Sequence, residues 1–307
     1  MEGLNFKNNI RSSEEAERRG RPFAMTGGTA KEREQATDVL ISRRTRAIRE
    51  RPESSEDMET EKMLGVINQI LDSELKRLDL VDPTGHTAFK PISIKEVQGV
   101  RDVFNGDAGD MVYDDMLDIV QYKLGQNKLK KFVGLLHEGI HTTQSTEFSP
   151  MWKSRGASAP EPAIVRGGYM TGEAYREGSP TYWKWLNEGV VHGQTLRLIE
   201  SNIDLLVEKF PGTTTQEWLS QDKDMYEGSQ RLVSALEERY SSHARVGIEE
   251  MHDDFFRRHV TGDMSHLEKI DQIFGEGVQD KLERVHYQDL DSGFESATEG
   301  IFSEKTI

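Results

Sequence analysis

The stretch from Lys131 to Gln144 constrains this chain more than any other. It reads as one amphipathic helix, with Phe132, Val133, Leu135, Leu136 and Ile140 on an apolar flank that needs a core to cover it. Inside it, His137, Glu138 and His141 form an H-E-x-x-H pattern. Residues four apart share a helix face, so both imidazoles can reach a single tetrahedral Zn²⁺. Glu138 then stands where it can hold and deprotonate a metal-bound water. The competing reading is a helix that carries two solvated histidines. A catalytic zinc site needs a third protein ligand, so the rest of the chain must be searched for one.

Composition narrows the search. The chain has no cysteine, which excludes disulfides, thiolate zinc sites and cysteine nucleophiles together. Any metal is held by nitrogen and oxygen. A net charge of −15 argues against nucleic acid or an anionic membrane as partner. No run approaches the roughly 18 apolar residues of a membrane-spanning helix, and the N-terminus lacks an apolar signal core. The expectation is a soluble, cytoplasmic protein, although leaderless secretion would leave the same pattern. Oligomeric state is not readable.

With 30% charged and 35% hydrophobic residues, part of the chain should be unfolded or purely surface helix. Residues 1–57 fit that description and read as a disordered or mobile polar segment, with a mobile helix over Thr37–Ile48 at most. A folded domain is expected over 58–290. Its first part, 58–126, begins with a helix from Met58 to about Leu80, where Met63, Ile67, Ile70, Leu71, Leu75 and Leu78 recur at helical steps. The turn residues Asp82-Pro83-Thr84-Gly85 close it, and Phe89–Val97 looks like a strand. Around Asp114-Asp115 two short strands or a hairpin are expected, and a free edge there could pair with an extended peptide.

The metal helix should run from about Asn127 to Thr146, and residues 127–290 should be largely helical. Ser149-Pro150, Pro160-Glu161-Pro162 and Gly167-Gly168 suggest a loop-rich segment after it, a lid or a substrate rim. Helices follow over about Thr181–Lys209, Gln216–Leu219, Asp224–Tyr240, Ile248–Val260, Ser265–Phe274 and Gly277–Val285. The tail, 291–307, reads as polar and frayed. Trp183 and Trp185 read as packing residues. His243, His252, His259 and His266 are scattered among charges and read as solvated.

Three carboxylates compete for the third ligand position. Glu147 follows His141 closely, but Gln144 occupies the position where a glycine would let the chain turn back. Glu161 is bracketed by Pro160 and Pro162 and cannot sit inside a helix. Glu188 lies in a strong helix, flanked by Trp185, Leu186, Val190 and Val191. A carboxylate buried there unpaired would be costly, and coordination removes that cost.

Trp185-Leu186-Asn187-Glu188-Gly189 resembles the W-L-N-E-G segment of gluzincin metallopeptidases of the aminopeptidase-N type. Tyr226-Glu227-Gly228 is similar, more loosely, to their Y-x-K-G segment. The resemblance covers about residues 110–285 and implies an α+β, predominantly helical chain. Its zincin-like catalytic domain would set a small sheet beside the H-E-x-x-H helix and a helical part towards the C-terminus. It implies one Zn²⁺ per chain on His137, His141 and Glu188, with Glu138 as general base. Tyr226 would stabilise the oxyanion, and His192, one turn beyond Glu188, is a second candidate donor.

The departures are informative. Forty-six residues, Thr142 to Asn187, separate the second histidine from the glutamate, a much longer gap than in the aminopeptidases. There is no Gly-x-Met-Glu-Asn segment to grip a free amino terminus. The implied activity is therefore hydrolysis of a peptide or protein substrate, an endopeptidase fitting better than an aminopeptidase. The alternative is a non-catalytic binding protein that keeps the fold and the metal site.

Overall fold

The computed structural model describes residues 23–49, 58–80, 94–97, 101–102, 106–107, 111–114, 116–123, 127–152, 157–172, 181–221, 224–299 and 301. The chain opens with strand β1 (Phe23–Met25) and helices α1 (Ala30–Arg49) and α2 (Met58–Arg77). Five short strands follow: β2 (Ile94–Val97), β3 (Arg101–Asp102), β4 (Gly106–Asp107), β5 (Met111–Asp114) and β6 (Ile119–Lys123). Helix α3 (Lys128–His141) leads into β7 (Thr146–Met151), β8 (Glu161–Gly167), β9 (Met170–Gly172) and β10 (Thr181–Tyr182). The rest is helical: α4 (Lys184–Ser201), α5 (Ile203–Lys209), α6 (Thr215–Ser220), α7 (Glu227–Ala244) and α8 (Ile248–Thr261). A 3₁₀ turn (Leu267–Lys269) then precedes α9 (Ile270–Phe274), α10 (Val278–Glu283) and α11 (Tyr287–Thr298). The chain is α+β and predominantly helical, and among the described residues no helix is long and apolar enough to cross a membrane.

The strands form separate sheets, in the orders β1-β7-β8-β9-β10, β2-β6-β5 and β3-β4. β5 and β6 are the hairpin expected around Asp114, with Tyr113 opposite Val120. β6, the strand just before α3, is the central strand, and β2 and β5 are the two edges, so an edge facing α3 and Glu138 belongs to β5 rather than β6. The turn at Asp82–Gly85 and the strand start at Phe89 lie outside the described residues.

A single large core gathers the inward faces of α2, α3, α4, α7, α8 and α11. The α2 stripe of Met63, Ile67, Ile70 and Leu71 is at most 2% exposed, each side chain contributing roughly 2 kcal/mol by burial. α3 begins at Asn127, whose side-chain oxygen accepts the Leu129 N–H at 2.9 Å. It stops at His141, short of the expected Thr146. There the hydroxyls of Thr142 and Thr143 turn back onto the carbonyls of Gly139 and Ile140, at 2.6 and 2.7 Å, and the chain enters β7.

Three expectations need correction. Within 1–57, residues 23–49 are not a loose leader: β1 pairs parallel with β7, and α1 buries Ala36, Leu40 and Arg44. A small second core of Leu40, Phe148 and Ile164 holds this segment against β7 and β8. Much of the stretch expected as a loop-rich lid or rim is sheet: Thr146–Met151 pairs with Glu161–Gly167, and Pro150 lies opposite Pro162, where neither has an N–H to lose. Finally, 291–299 is no frayed tail; α11 runs to Thr298 and buries Leu290, Phe294 and Thr298.

Candidate metal centre

The i, i+4 spacing on α3 sends His137 and His141 to one side, and both are buried, at 2% and 7% exposure. Their Nε2 atoms lie 3.3 Å apart. Glu188, in the second turn of α4, brings Oε2 to 3.3 Å from His137 Nε2 and 3.4 Å from His141 Nε2. Among the described residues these three are the one group of His and acidic side chains that converges closely enough to hold a metal ion. A tetrahedral ion with bonds of about 2.0–2.1 Å has ligand–ligand edges of about 3.3–3.4 Å. The three atoms therefore form one face of such a tetrahedron, and the donor set of two imidazoles and a carboxylate fits a divalent cation.

The other two candidate ligands lie elsewhere. Glu147 on β7 is paired with Arg166 at 3.1 Å, and Glu161 on β8 with Arg43 at 2.6 Å. Both carboxylates thus have a guanidinium partner, and neither joins the buried group.

The sequence around Glu188 explains its placement. Trp183 starts α4 from a left-handed backbone conformation, φ 59°, with its N–H donating to the Glu283 carbonyl at 3.1 Å. The Trp185 indole donates to the Leu282 carbonyl at 2.7 Å, so the end of α10 anchors the first turn of α4. Both tryptophans are buried packing residues, as expected. Gly189 lets α7 approach: a Cβ there would lie 2.7 Å from Val233 Cγ2 and 2.9 Å from the Ser229 carbonyl oxygen. Asn187 is held by the β8–β9 turn, its Oδ1 accepting the Tyr169 N–H at 2.9 Å.

Burial opposes charge on both His141 and Glu188, and their mutual attraction overcomes it. His141 is raised above the usual imidazole value and Glu188 is held well below the carboxylate range. Gln144 Oε1 lies 3.3 Å from His141 Nδ1 and accepts its N–H, which leaves Nε2 facing the triad. Asn187 Nδ2, at 3.5 Å from the same nitrogen, is beyond good hydrogen-bond range.

Glu138 is not a ligand. Its Oε2 accepts the backbone N–H of Tyr113 on β5 at 2.8 Å. β5 lies close over α3 here: a Cβ on residue 134, a glycine, would lie 2.9 Å from Met111 Sδ, and that flexible side chain would have to shift. Tyr226 stacks its ring on His137, with centroids 5.7 Å apart and planes at 16°. His192 is fully buried, 5.6 Å from the His137 ring and 5.9 Å from that of Tyr226. All six residues singled out from the sequence, His137, Glu138, His141, Glu188, His192 and Tyr226, therefore lie in one neighbourhood.

The other histidines correct the expectation of solvation. His243 is exposed, but His252, His259 and His266 are 8%, 0% and 4% exposed. The His259 ring lies 6.2 Å from that of His141. Its pKa is pushed down to about 3, by burial first and then by the neighbouring His141 charge. His259 was readable as buried. Residues 251, 252, 255, 256 and 259 of α8 trace one apolar helical face, and the histidine ends it.

No family model matches the chain, and neither a curated protein nor a solved structure matches it.

Proposed function

We propose that this chain is a zinc-dependent peptidase with a zincin-like catalytic domain, cutting within peptide or protein substrates. One Zn²⁺ per chain would be held by His137, His141 and Glu188. The supporting observation is the convergence of those three buried atoms at tetrahedral edge lengths, with the Glu138 carboxylate one residue along α3 and outside the ligand set. A bound Zn²⁺ would polarise the scissile carbonyl and lower the pKa of a water towards ~7. Glu138 would act as general base, taking a proton from the attacking water and passing it to the leaving amine. Its bond from Tyr113 N–H orients one carboxylate oxygen and leaves the other for the proton. Tyr226 donates to the developing oxyanion, with His192 as the second candidate. An extended substrate can lie along the β5 edge beside Glu138.

The intact Glu138 favours catalysis over a purely structural metal, which needs no base and closes its coordination sphere with protein. The test is metal content by mass spectrometry on wild type and Glu188→Ala, together with cleavage of a mixed peptide library. One zinc per wild-type chain, lost in the variant, with internal cleavage by wild type, is expected. Equal zinc in both proteins would overturn the ligand set. Zinc retained by a wild type that cuts no peptide would leave a metal-holding binding protein instead.

A further inference from the structure

Tyr226 sits in an unusual place for a residue that must be held accurately. It is the residue before α7, with a left-handed backbone of φ 54°, a conformation that non-glycine residues rarely adopt. Its side chain cannot cap the helix, so the first-turn N–H groups need another acceptor. Asp291 of α11 supplies it: Oδ1 accepts the Gly228 N–H at 3.1 Å. Gly228 also touches the α11 backbone, since a Cβ there would lie 2.5 Å from both the carbonyl carbon and oxygen of Leu290. Backbone cannot swing aside as a flexible side chain can. The Tyr287 ring, at the start of α11, packs 5.8 Å from the Tyr226 ring, and the Lys184 ammonium lies 5.0 Å from Tyr287. Further along, Arg231 of α7 lies over Phe294 at 3.9 Å. Leu290 and Phe294 bind α11 into the main core.

We infer that α11 is the positioning element for Tyr226, with Gly228 and Asp291 as the residues through which it acts. This rests on the proposed role of Tyr226 in peptide hydrolysis. The C-terminal helix touches none of the triad residues in these contacts; it holds the backbone that aims the tyrosine ring along His137. Changes at the α7–α11 contact should therefore lower turnover while leaving metal binding intact.

The experiment uses the full chain with Gly228→Ala, Asp291→Ala and Asp291→Asn, each alone and in a Tyr226→Phe background. Loss of an oxyanion donor costs roughly 10²–10³ in kcat, so Tyr226→Phe should fall in that range and Gly228→Ala about tenfold. Zinc content and KM should stay within about twofold of wild type, since this contact provides no ground-state binding. Asp291→Ala should lose a few-fold, and Asp291→Asn should recover because its amide oxygen caps equally well. In the Tyr226→Phe background the Gly228→Ala loss should vanish. A full Gly228→Ala loss persisting there, or no loss in either background, overturns the inference.

A second readout needs no turnover, so it survives failure of the peptidase reading. With 3-fluorotyrosine at position 226, the ¹⁹F resonance of wild type should be displaced by the stacked His137 ring. In Gly228→Ala and Asp291→Ala it should move towards the free amino-acid position. An unmoved resonance in both overturns the inference even if no substrate is ever found.

Discussion

Among the described residues two helices turn pairs of histidines inward, and only one of these pairs converges on a shared site. His137 and His141 on α3 are four residues apart, about 6 Å of rise, and their Nε2 atoms meet. His252 and His259 on α8 share a buried face as well, but seven residues separate them by about 10.5 Å, too far for one ion. Their partners differ too. The α3 pair faces a single carboxylate from α4. His252 is occupied: Nε2 meets Gln194 Oε1 and Nδ1 lies beside Glu237, both at 3.1 Å. Gln194 in turn gives its amide N–H to Glu74 at 2.7 Å, which fixes its oxygen towards His252. His259 packs beside Phe256 and Tyr169, with no hydrogen-bond partner for either ring nitrogen among the described residues. Burial alone does not make a histidine a ligand. Spacing on the helix and an opposed carboxylate do.

The largest expected effect separates holding a metal from using it. Glu138→Gln keeps the shape of the side chain and an oxygen for the Tyr113 N–H, so fold and metal content should match wild type. Peptide hydrolysis should fall by roughly 10²–10⁴, the usual worth of a positioned base. Activity above that of a metal-stripped control at more than a tenth of the wild-type rate would remove Glu138 from the base role.

The second prediction sets the two helices directly against each other. In chelator-treated protein, His141→Ala strips Glu188 of its main counter-charge in a buried site and should cost about 3–5 kcal/mol in a denaturant titration. His259→Leu replaces a buried imidazole without partners by a hydrocarbon and should leave stability unchanged or raised. The acid limb should differ as well. Burial, ahead of neighbouring charge, pushes His259 and His266 each down to about 3, below the ordinary value near 6.5 of an unfolded chain. The unfolded chain thus binds more protons over that interval. The stability these residues contribute is complete above about pH 6.5 and is lost as pH falls towards 3. His259→Leu should flatten the fall in melting temperature between pH 7 and 4. A steeper fall would mean that His259 is charged in the folded protein.

The contrast also explains what the sequence could and could not disclose. The site was legible because both of its halves are local patterns: H-E-x-x-H on one amphipathic helix and W-L-N-E-G opening another. α2 was legible from its apolar period. The N-terminal layer was not, since α1 docks through Ala36, Leu40 and Arg44 rather than a hydrophobic stripe. Arg44 takes the place of a core hydrophobe by lying over Phe23 and Phe148, at 5.2 and 5.8 Å. β1 pairs with β7 across most of the N-terminal half of the chain, a partnership no local pattern announces. In α11, Leu290, Phe294 and Thr298 are single buried residues spaced one turn apart within a polar run. Prolines hid β7 and β8, because a proline argues against a strand unless its partner strand asks nothing of its nitrogen.

The smallest effect tests what keeps His141 ready for a metal. Its Nδ1–H is given to Gln144 Oε1, and that bond selects the tautomer whose Nε2 faces His137 and Glu188. His252 shows the other outcome, with Gln194 Oε1 3.1 Å from Nε2 and Glu237 Oε1 3.1 Å from Nδ1, so each ring nitrogen faces a protein oxygen rather than a shared site. Gln144→Ala should release the His141 ring and weaken Zn²⁺ affinity by about tenfold, the low end for loss of such a partner. Gln144→Glu, which keeps an acceptor and adds charge, should hold affinity at or above wild type. Competition against a chromophoric chelator measures both. Equal affinity in wild type and Gln144→Ala would transfer the orienting role to the triad itself, since Asn187 at 3.5 Å offers an amide nitrogen that cannot accept the proton.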